Sequence, residues 1–554
     1  MSNAFVFLLE FHNEELWMPP DYKIINYMFQ LHKIVFFLCV SVFVLKSTAQ
    51  SKSSKNSQPN IIYILADDLG IGDLSIYNEG SKIYTPHLDT MGKEGMVFTD
   101  AHASSSVCTP TRYGILTGRY NWRTPLKQFV TWGTSPMLIK DDRYTVADLL
   151  QQHGYKTANI GKWHLGLNWA TKDGVKDYEY YTGIKDKYEF DRIDYSKSLV
   201  KGANDLGFDY SYLLAASLNM PPFVYIENDK VVKVPNGISE QKRAEHPYAH
   251  WIKGDISEDF VHEEVLPVFV DKSISFIKEN AGDEKPFFIY LPLPAPHNPI
   301  LPIEPWKGKS NINPYADFVL MIDDLMGNIF KAVKESGIEE NTLIIFTSDN
   351  GCASNANYAV LAKKGHNPSY IYSGNKGSYL EGGHRVPFLV KWPEKIKANS
   401  VSDETVCTTD FMATCADIVK YKLKDDQAED SFSMLPIFNQ EKGYDREATI
   451  HHSKTGIFAI RKGDWKLIQS PNSGVTANGR PEKSEKDLPE EILYNLKTDV
   501  AEKVNVAGQY PEKVQELKQL LIKQIRDGRS TPGKVQDNDP ATAPWVQTAF
   551  ITKN

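Results

Sequence analysis

The segment Asn60-Ile-Ile-Tyr-Ile-Leu-Ala-Asp-Asp68 joins an apolar run directly to two adjacent carboxylates. A short apolar run that is rich in β-branched and aromatic residues and has polar neighbours predicts a strand buried in a parallel sheet. Helical and extended patterns then alternate along the chain, which predicts an α/β fold with a doubly wound, mostly parallel sheet flanked by helices. The predicted helices cover 145–153, 259–280 and 315–337, and further predicted strands cover 155–160, 286–292 and 342–347.

The alternation of helix and strand fades after about residue 445. Residues 456–469 and 491–495 predict short antiparallel strands, and Pro511–Arg526 predicts a helix rich in Lys, Gln and Leu. We therefore expect a catalytic domain over 60–445. A smaller C-terminal α+β subdomain that contains an antiparallel sheet is expected over 446–554.

The composition is that of a soluble globular protein, since 41% of the 554 residues are hydrophobic and 24% are charged. This excludes a membrane transporter and a collagen-like chain. Lys and Arg number 62 against 70 Asp and Glu, a formal charge of −8, which offers no basic surface for nucleic acid or anionic membranes. An anionic ligand would therefore need cations in a local pocket. Too few cysteines are present for a disulfide scaffold, and Cys407 and Cys415 are expected to be unpaired core residues.

The N-terminal residues have the pattern of an export signal. The pair His32-Lys33 precedes the apolar run Ile34–Leu45, and small residues follow up to Ala49. The run is too short for an ordinary spanning helix, so we expect a secreted or periplasmic protein without stable membrane insertion. A retained N-terminal anchor is the alternative. The predicted segments are a signal peptide over 1–49, in which Met28 makes a better start than Met1, and a polar linker over 50–59.

Two pairs of polar side chains follow two of the predicted strands. Asp67 and Asp68 are costly to hold side by side unless a cation lies between them. The strand that ends in Thr347-Ser-Asp-Asn-Gly351 brings Asp349 and Asn350 to the corresponding edge of the sheet. Oxygen ligands favour Ca²⁺ or Mg²⁺ over zinc, so the two pairs together predict a divalent-cation site. Either pair alone is equally typical of solvated loop residues.

The segment from Ser104 to Arg119 contains Cys108-Thr-Pro-Thr-Arg112 followed by Leu116-Thr-Gly-Arg119. It resembles the signature of the type I sulfatases of the alkaline-phosphatase-like superfamily, whose cysteine is oxidised after translation to formylglycine. Without that resemblance, Cys108 would be read as a buried cysteine at a helix start. Further motifs extend the resemblance over most of the mature chain: Thr85–Asp89, Gly95–His102, Gly161–Gly166, Ala295–His297, Gly374–Gly377, Glu381–Arg385, Asp464–Leu467 and Leu493–Leu496.

The resemblance implies the cofactor and the nucleophile. A formylglycine at 108 is hydrated to a geminal diol, one hydroxyl attacks sulfur, and the second expels sulfate and restores the aldehyde. Pro110 fits an early helical position, which places residue 108 near a helix N-terminus, where N–H groups favour a negatively charged oxygen. The implied ligands of one Ca²⁺ are Asp67, Asp68, Asp349, Asn350 and Cys108 as formylglycine.

The spacing of three cationic or titratable residues indicates which way their side chains point. Arg112 lies four residues beyond Cys108, on the same face of a helix, and can hold the 108 side chain or a metal-ligand oxygen. Lys162 and His164 alternate across Trp163, so both are expected on one side of an extended segment. By resemblance, Lys162 contacts the sulfate or the diol, and His164 accepts the hydroxyl proton when sulfate is expelled.

Two more catalytic residues are carried over from the family. By resemblance, His297 is the general acid that protonates the leaving sugar oxygen, and Lys376 clamps the sulfate beside it. Outside matching motifs, a lone histidine is usually structural. We therefore expect structural roles for the remaining histidines considered: His87, His102, His384, His451 and His452.

Residues 167–258 match no named motif, and we expect the substrate to be chosen there. Residues 221–229 are similar to a segment of sulfatases that act on sulfated galactose or N-acetylgalactosamine. The implied partners are thus a sulfated glycan of this type and a formylglycine-generating maturation enzyme. Two alternatives stay open: a phosphoester or phosphonate hydrolase on the same scaffold, and a catalytically silent glycan-binding relative.

Overall fold

The structure is a computed structural model, and it describes residues 58–172, 174, 192–240, 248–469, 489–540 and 545–551. These residues belong to one compact unit. The predicted signal peptide and nearly all of the predicted linker lie outside the described residues. Within the described ranges, no helix has both the length and the apolar character that a membrane span requires.

The described residues form eighteen strands and ten α-helices. The strands are β1 (Asn60–Asp67), β2 (Met96–Phe98), β3 (Ala101–His102), β4 (Lys156–Lys162), β5 (Tyr210–Leu214), β6 (Ile226–Glu227), β7 (Lys230–Val231), β8 (Gly237–Ser239), β9 (Gly254–Ile256), β10 (Phe287–Pro296), β11 (Thr342–Ser348), β12 (Phe388–Lys391), β13 (Ser400–Ser402), β14 (Val406–Cys407), β15 (Thr449–His452), β16 (Phe458–Lys462), β17 (Trp465–Gln469) and β18 (Glu491–Asn495). The helices are α1 (Pro86–Lys93), α2 (Cys108–Thr117), α3 (Val146–Gln152), α4 (Val265–Asn280), α5 (Pro314–Glu335), α6 (Tyr358–Lys363), α7 (Glu381–His384), α8 (Phe411–Ile418), α9 (Leu435–Phe438) and α10 (Pro511–Arg526).

A ten-stranded sheet forms the centre, in the order β13-β2-β12-β11-β1-β10-β4-β5-β6-β7. Its five middle strands, from β11 to β5, are mutually parallel. Antiparallel pairs occur on both sides, between β11 and β12, β12 and β2, β5 and β6, and β6 and β7. The predicted mostly parallel α/β sheet is confirmed.

Helices cover both faces of this sheet. Successive side chains of β1 point in opposite directions, so they pack against helices on each face. Ile61, Tyr63 and Leu65 pack in one apolar core, with residues of α2, α3 and α8. Ile62 and Ile64 pack in a second core, with residues of α1, α4 and α5. β1 is therefore fully buried, as its continuous apolar sequence predicted.

A separate antiparallel sheet, in the order β15-β16-β17-β18, follows in the C-terminal part of the chain. Its core contains residues of α10 and also Tyr120 and Trp122, which follow α2. The predicted small antiparallel sheet is confirmed, and the domain boundary at 445/446 stays a prediction. The packing of Tyr120 and Trp122 attaches this sheet to the segment just beyond the Cys108 helix.

One local expectation differs from the structure, and another is confirmed. The helix expected over 259–280 begins only at Val265, and His262–Glu264 forms a 3₁₀ turn before it. Pro267 has no backbone N–H to donate to a carbonyl one turn earlier, so it is tolerated only in the first turn of an α-helix. The helix therefore begins no more than a few residues before Pro267. Cys407 and Cys415 are buried and free, as expected.

Three buried histidines stack where the two sheets meet. The rings of His384 and His451 are parallel, with centroids 4.0 Å apart, and His102 lies 4.7 Å from His451. Burial, and after it the Arg385 guanidinium, lowers the pKa of His102 to about 4. Burial, with the positive charge that each ring would add beside its neighbours, also lowers the pKa of His384 and of His451. All three rings are therefore neutral at pH 7.

These ring nitrogens are occupied by hydrogen bonds. His102 Nδ1 and His384 Nδ1 lie 3.0 Å apart, and Lys466 Nζ donates to His384 Nε2 over 3.0 Å. His102 Nε2 lies 2.8 Å from Asp100 Oδ1, and His451 Nδ1 donates to a backbone carbonyl. A cation site is disfavoured there, because the ring nitrogens are paired and ammonium and guanidinium groups are close. The structural role expected for His102, His384 and His451 agrees with this packing.

Acidification is expected to destabilise the protein through this cluster. The unfolded chain binds these protons with a pKa near 6.5, and the folded His102 only near pH 4. The contribution of His102 to the free energy of unfolding is therefore fully present above about pH 6.5. It is lost as the pH falls towards 4, by roughly 3 kcal/mol in total. Thermal unfolding of His102→Gln should depend less steeply on pH across this interval. His87→Gln, which alters an exposed ring, should keep the wild-type slope, and an equally steep slope in His102→Gln would contradict the assignment.

Candidate active site

The two acidic strand ends predicted to meet do meet. β1 ends at Asp67, and Asp68 follows it with a φ of +65°. The backbone N–H of Asp68 donates to Asp349 Oδ1 over 3.2 Å, and Asn350 Nδ2 donates to Asp68 Oδ1 over 2.7 Å. All four side chains are buried at the carboxyl edge of the sheet. This edge is where α/β folds bind their ligands.

Cys108 is the first residue of α2, and it faces this acidic group. Its Sγ lies 3.5 Å from Asp67 Oδ1 and 3.4 Å from Lys376 Nζ. Burial, and after it the Asp349 carboxylate, raises the pKa of the Cys108 thiol to about 12. The thiol is therefore protonated at neutral pH and is a poor nucleophile as it stands.

Arg112 binds Asp349, the carboxylate that follows β11. Its Nε and Nη2 donate to Asp349 Oδ2 over 3.1 and 2.6 Å, and Nη1 donates to the carbonyl of Lys162 over 3.0 Å. Nη2 also lies 3.6 Å from Asp67 Oδ1. Of the two expected contacts, the one with oxygens of the predicted metal ligands is observed. Arg112 thereby joins β1, β4 and β11 at one point.

Two lysines complete the charge balance. Lys162 Nζ lies 2.5 Å from Asp67 Oδ2, and Lys376 Nζ lies 2.6 Å from Asp68 Oδ1. Burial would raise the pKa of Asp67, but the neighbouring cations, Lys162 first among them, hold it well below its usual range. Burial, with Asp67 nearby, raises the pKa of Asp349 to about 7. Three carboxylates thus share one buried space with three cations.

The oxygen donors of this site fit a hard cation. Asp67, Asp68, Cys108 and His297 each offer one ligand atom, and these atoms lie within 4.8 Å of one another. Asn350 Oδ1 is buried and has no hydrogen-bond partner among the described residues. A buried carbonyl oxygen without a donor is costly, and a divalent cation beside the carboxylates would satisfy it.

His164 lies beyond the end of β4 in a turn, with a φ of +57°. The expectation that it continues an extended segment with Lys162 is wrong in this detail. Its Nε2 donates to the carbonyl of Thr131 over 2.9 Å, while its buried Nδ1 has no partner among the described residues. Burial and the Lys162 charge lower the pKa of His164 well below its usual value. The ring is therefore neutral and offers one free lone pair, at Nδ1.

His297 approaches the same carboxylates from β10. Its Nδ1 donates to the carbonyl of Asn298 over 2.6 Å, and its Nε2 lies 3.7 Å from Asp68 Oδ2. Burial, and after it the Lys376 charge, lowers the pKa of His297 to about 4. Nε2 is the ring atom directed at the cluster.

Comparison with known proteins identifies the family. The sequence profile of the sulfatase family matches residues 59–421. An N-acetylgalactosamine-6-O-sulfatase of Bacteroides thetaiotaomicron is 33% identical over 507 residues, which cover 85% of this chain and 94% of that protein. The chain belongs to the sulfatase family. The activity of the family is hydrolysis of sulfate esters, and the protein is such a hydrolase.

Two further relatives cover similar lengths of this sulfatase. An N-acetylgalactosamine-6-sulfatase of Sus scrofa is 26% identical over 543 residues, covering 91% of this chain and 93% of that protein. A solved structure from work on glycosaminoglycan metabolism by Bacteroides thetaiotaomicron superposes with a TM-score of 0.72 at 32% identity. It covers 84% of this chain and 99% of that one. The sulfatase fold predicted from the sequence is confirmed.

The residues predicted for the site of this sulfatase lie together at the carboxyl edge of the sheet. None of them lies elsewhere, although their distance along the chain is large. They are Asp67, Asp68, Cys108, Arg112, Lys162, His164, His297, Asp349, Asn350 and Lys376.

A buried hydrogen-bonded group around Asp73, which was not predicted, supports the turn at Asp68. The hydroxyl of Tyr315 donates to Asp73 Oδ2 over 2.5 Å and lies 3.4 Å from the carbonyl oxygen of Asp68. His366 Nε2 donates to Asp73 Oδ1 over 2.8 Å, and the N–H of Gly70 donates to Asp73 Oδ2. Asp73 therefore fixes the turn in which Asp68 takes its left-handed conformation.

The signal for this group was the spacing Gly70-Ile-Gly72-Asp73 just after the acid pair. A Cβ atom at Gly70 would lie 2.3 Å from the carbonyl oxygen of Pro368, and one at Gly72 would lie 2.2 Å from that of Asn367. Only glycine permits such a close backbone approach. Two glycines this near a carboxylate pair indicate that another segment packs directly on the turn.

Breaking the Arg112 contact is expected to destabilise the fold, because the buried Asp349 carboxyl loses the two donors that Arg112 supplies. Arg112→Gln should lower the free energy of unfolding by about 3–5 kcal/mol, measured by urea denaturation with a chelator present. Adding Asp349→Asn replaces the unpaired carboxyl by a neutral amide and should restore part of the loss. Lys140→Gln, at a solvent-exposed ion pair with Asp539, should cost less than about 1 kcal/mol. Equal losses in Arg112→Gln and in the double variant would contradict the pairing.

Proposed function

We propose that this sulfatase removes sulfate from a sulfated carbohydrate of the galactose or N-acetylgalactosamine type, with formylglycine at residue 108 and one Ca²⁺ ion. The observation that carries the proposal is the cluster of Asp67, Asp68, Cys108 and His297, whose ligand atoms lie within 4.8 Å of one another at the start of α2. The two relatives named for N-acetylgalactosamine-6-sulfate support the choice of sugar.

The residues that would hold Ca²⁺ are Asp67, Asp68, Asp349, Asn350 and the modified residue 108. Bound there, Ca²⁺ would supply a fixed positive charge that stabilises sulfate oxygens and makes a neighbouring hydroxyl more acidic. Three carboxylates and three cations already balance. The added charge of +2 therefore suits two incoming anions, a deprotonated hydroxyl and a sulfate monoester.

Residue 108 is well placed to serve as the nucleophile once it is modified. A formylglycine hydrate carries two hydroxyls on one carbon, so one can attack sulfur and the other can later release sulfate. Its position at the first turn of α2 faces the helix N–H groups, which favour negative oxygen. Lys376 Nζ, 3.4 Å from Sγ, is within reach of both the nucleophile and a sulfate oxygen. Lys162, held by Asp67, adds a second cation on the other side.

Two histidines are suited to the two proton transfers. His164 Nε2 is held by a carbonyl, so its Nδ1 lone pair would accept the hydroxyl proton when sulfate is expelled. His297 Nδ1 donates to a carbonyl, so Nε2 is the ring atom that faces the substrate. The negative charge of a bound sulfate ester would raise the pKa of this ring, and Nε2, once protonated, would deliver that proton to the leaving sugar oxygen. Fixing one nitrogen of each ring determines which nitrogen faces the reaction.

The cellular route follows from the N-terminal pattern. We infer that residues 1–49 direct export, that the mature enzyme is secreted or periplasmic, and that a maturation enzyme oxidises Cys108. The sugar-binding residues are expected within 167–258, part of which lies outside the described residues.

The deciding experiment is the mass of the Cys108 peptide from protein secreted by its native host, combined with sulfate-release assays. We expect an aldehyde at 108, and activity that a chelator removes and Ca²⁺ restores. Cys108→Ala should be folded and inactive. An unmodified thiol in active, exported protein would overturn the proposed nucleophile. A preference for phosphate over a matched sulfate ester would favour the phosphoester hydrolase instead.

The role of His297 can be tested with two leaving groups. A sugar alkoxide needs a proton as it departs, whereas a nitrophenolate does not. His297→Asn should lower kcat/KM by about 10²–10⁴ for a sulfated sugar and much less for nitrophenyl sulfate. Lys376→Met, which removes a sulfate contact, should affect both substrates alike. Equal losses for both substrates in His297→Asn would exclude it as the general acid.

A further inference from the structure

A polar cavity of about 500 Å³ lies beside Lys376 and is used by nothing described so far. Its walls come from the loop after β11 and from the segment that leads to Lys376. No lysine, arginine, histidine or carboxylate lines it. The side chains that form it are Ser354, Tyr358, Asn367, Ser369, Tyr372 and Asn375.

The cavity adjoins the reacting centre through the backbone. Asn375 directly precedes Lys376, whose Nζ lies 3.4 Å from Cys108 Sγ. On the opposite wall, Ser354 follows Asn350 by four residues. The N–H of Lys376 donates to the carbonyl of Cys352 over 3.0 Å, which ties the two walls together next to the catalytic lysine.

Hydrogen-bonding groups in the cavity are left unused. Asn375 Oδ1 is buried without a partner among the described residues, and the residue is only 7% exposed. The hydroxyls of Ser354 and Tyr372 also form no hydrogen bond with any described residue. A ligand hydroxyl or water in the cavity would supply partners to the two free hydroxyls.

Other contacts keep the walls rigid. The hydroxyls of Tyr358 and Ser369 lie 3.1 Å apart, and Ser369 Oγ donates to the carbonyl of Gly374 over 2.9 Å. The Arg385 guanidinium lies over the ring of Tyr372, 4.8 Å from its centroid. The cavity is therefore preformed, and Tyr372 presents a fixed ring and a free hydroxyl.

We propose that this cavity binds an uncharged sugar unit linked to the sulfated one. The inference rests on the proposed function, because it assumes a saccharide substrate. Hydroxyl and amide groups beside an aromatic ring match the hydroxyl and C–H groups of a sugar. A sulfated or carboxylated unit would place an anion against walls that hold no cation, so it would form no ion pair with the cavity lining. The enzyme should therefore prefer a neutral neighbour over a uronic acid.

The test compares three substrates with the same sulfated sugar: the monosaccharide, a disaccharide with a neutral hexose, and one with a uronic acid. We expect wild-type kcat/KM to be highest for the neutral disaccharide. Tyr372→Phe and Asn375→Ala should each lower the ratio of kcat/KM for that disaccharide to kcat/KM for the monosaccharide by roughly three- to tenfold, the cost of one hydrogen bond.

Tyr370→Phe is the matched control, since this tyrosine lies next to Tyr372 but outside the cavity lining. Its substrate ratio should stay at the wild-type value, and thermal unfolding verifies that each variant folds. Equal wild-type rates on monosaccharide and neutral disaccharide, a preference for the uronic acid, or an unchanged ratio in both cavity variants would overturn the inference. Wild-type enzyme that releases sulfate from nitrophenyl sulfate but from no sugar would instead overturn the proposed substrate class.

Discussion

The structure depends on a buried balance of charge. Arg112 donates two hydrogen bonds to Asp349 and one to the carbonyl of Lys162, while Lys162 itself pairs with Asp67. Each carboxylate alone would be costly in this buried position, and so would each cation. Together they fix the ends of three parallel strands to α2, the helix that carries Cys108 and Arg112. Under the proposed function, one Ca²⁺ and two anions, a deprotonated hydroxyl and the sulfate ester, would be added to this balance.

The centre of the sheet was accessible from sequence because β1, β10 and β11 contain continuous apolar runs, whereas β5 was not predicted. The run Asn60–Leu65 predicted a strand buried on both faces, and the structure places the acidic residues after it at the carboxyl edge. The outer strands were not predicted, since β2, β6, β7 and β13 have only two or three residues each. Pairing that short is decided by neighbours far away in sequence and leaves no periodic pattern.

The site was predicted residue by residue, but its supports were not. The positions of polar residues after the predicted strands indicated the two acidic strand ends, and the resemblance to a family supplied Cys108, His297, Lys376 and the expected roles. The left-handed turn at His164 had no signal in Gly161–Gly166 that distinguished it from a continued strand. The Asp73 group was missed because its partners, Tyr315 and His366, are 242 and 293 residues away.

That separation has a consequence for how much chain the enzyme needs. A polypeptide that stopped before His366 would still contain β1, β4, β5, β10 and β11, the whole parallel centre of the sheet. It would also keep both acidic strand ends and Cys108. It would nevertheless lack the imidazole that holds Asp73 and the lysine beside Cys108. The signature and the sheet can therefore both be present in a fragment in which the turn at Asp68 has lost its anchor, so the minimal active unit extends well past the last parallel strand.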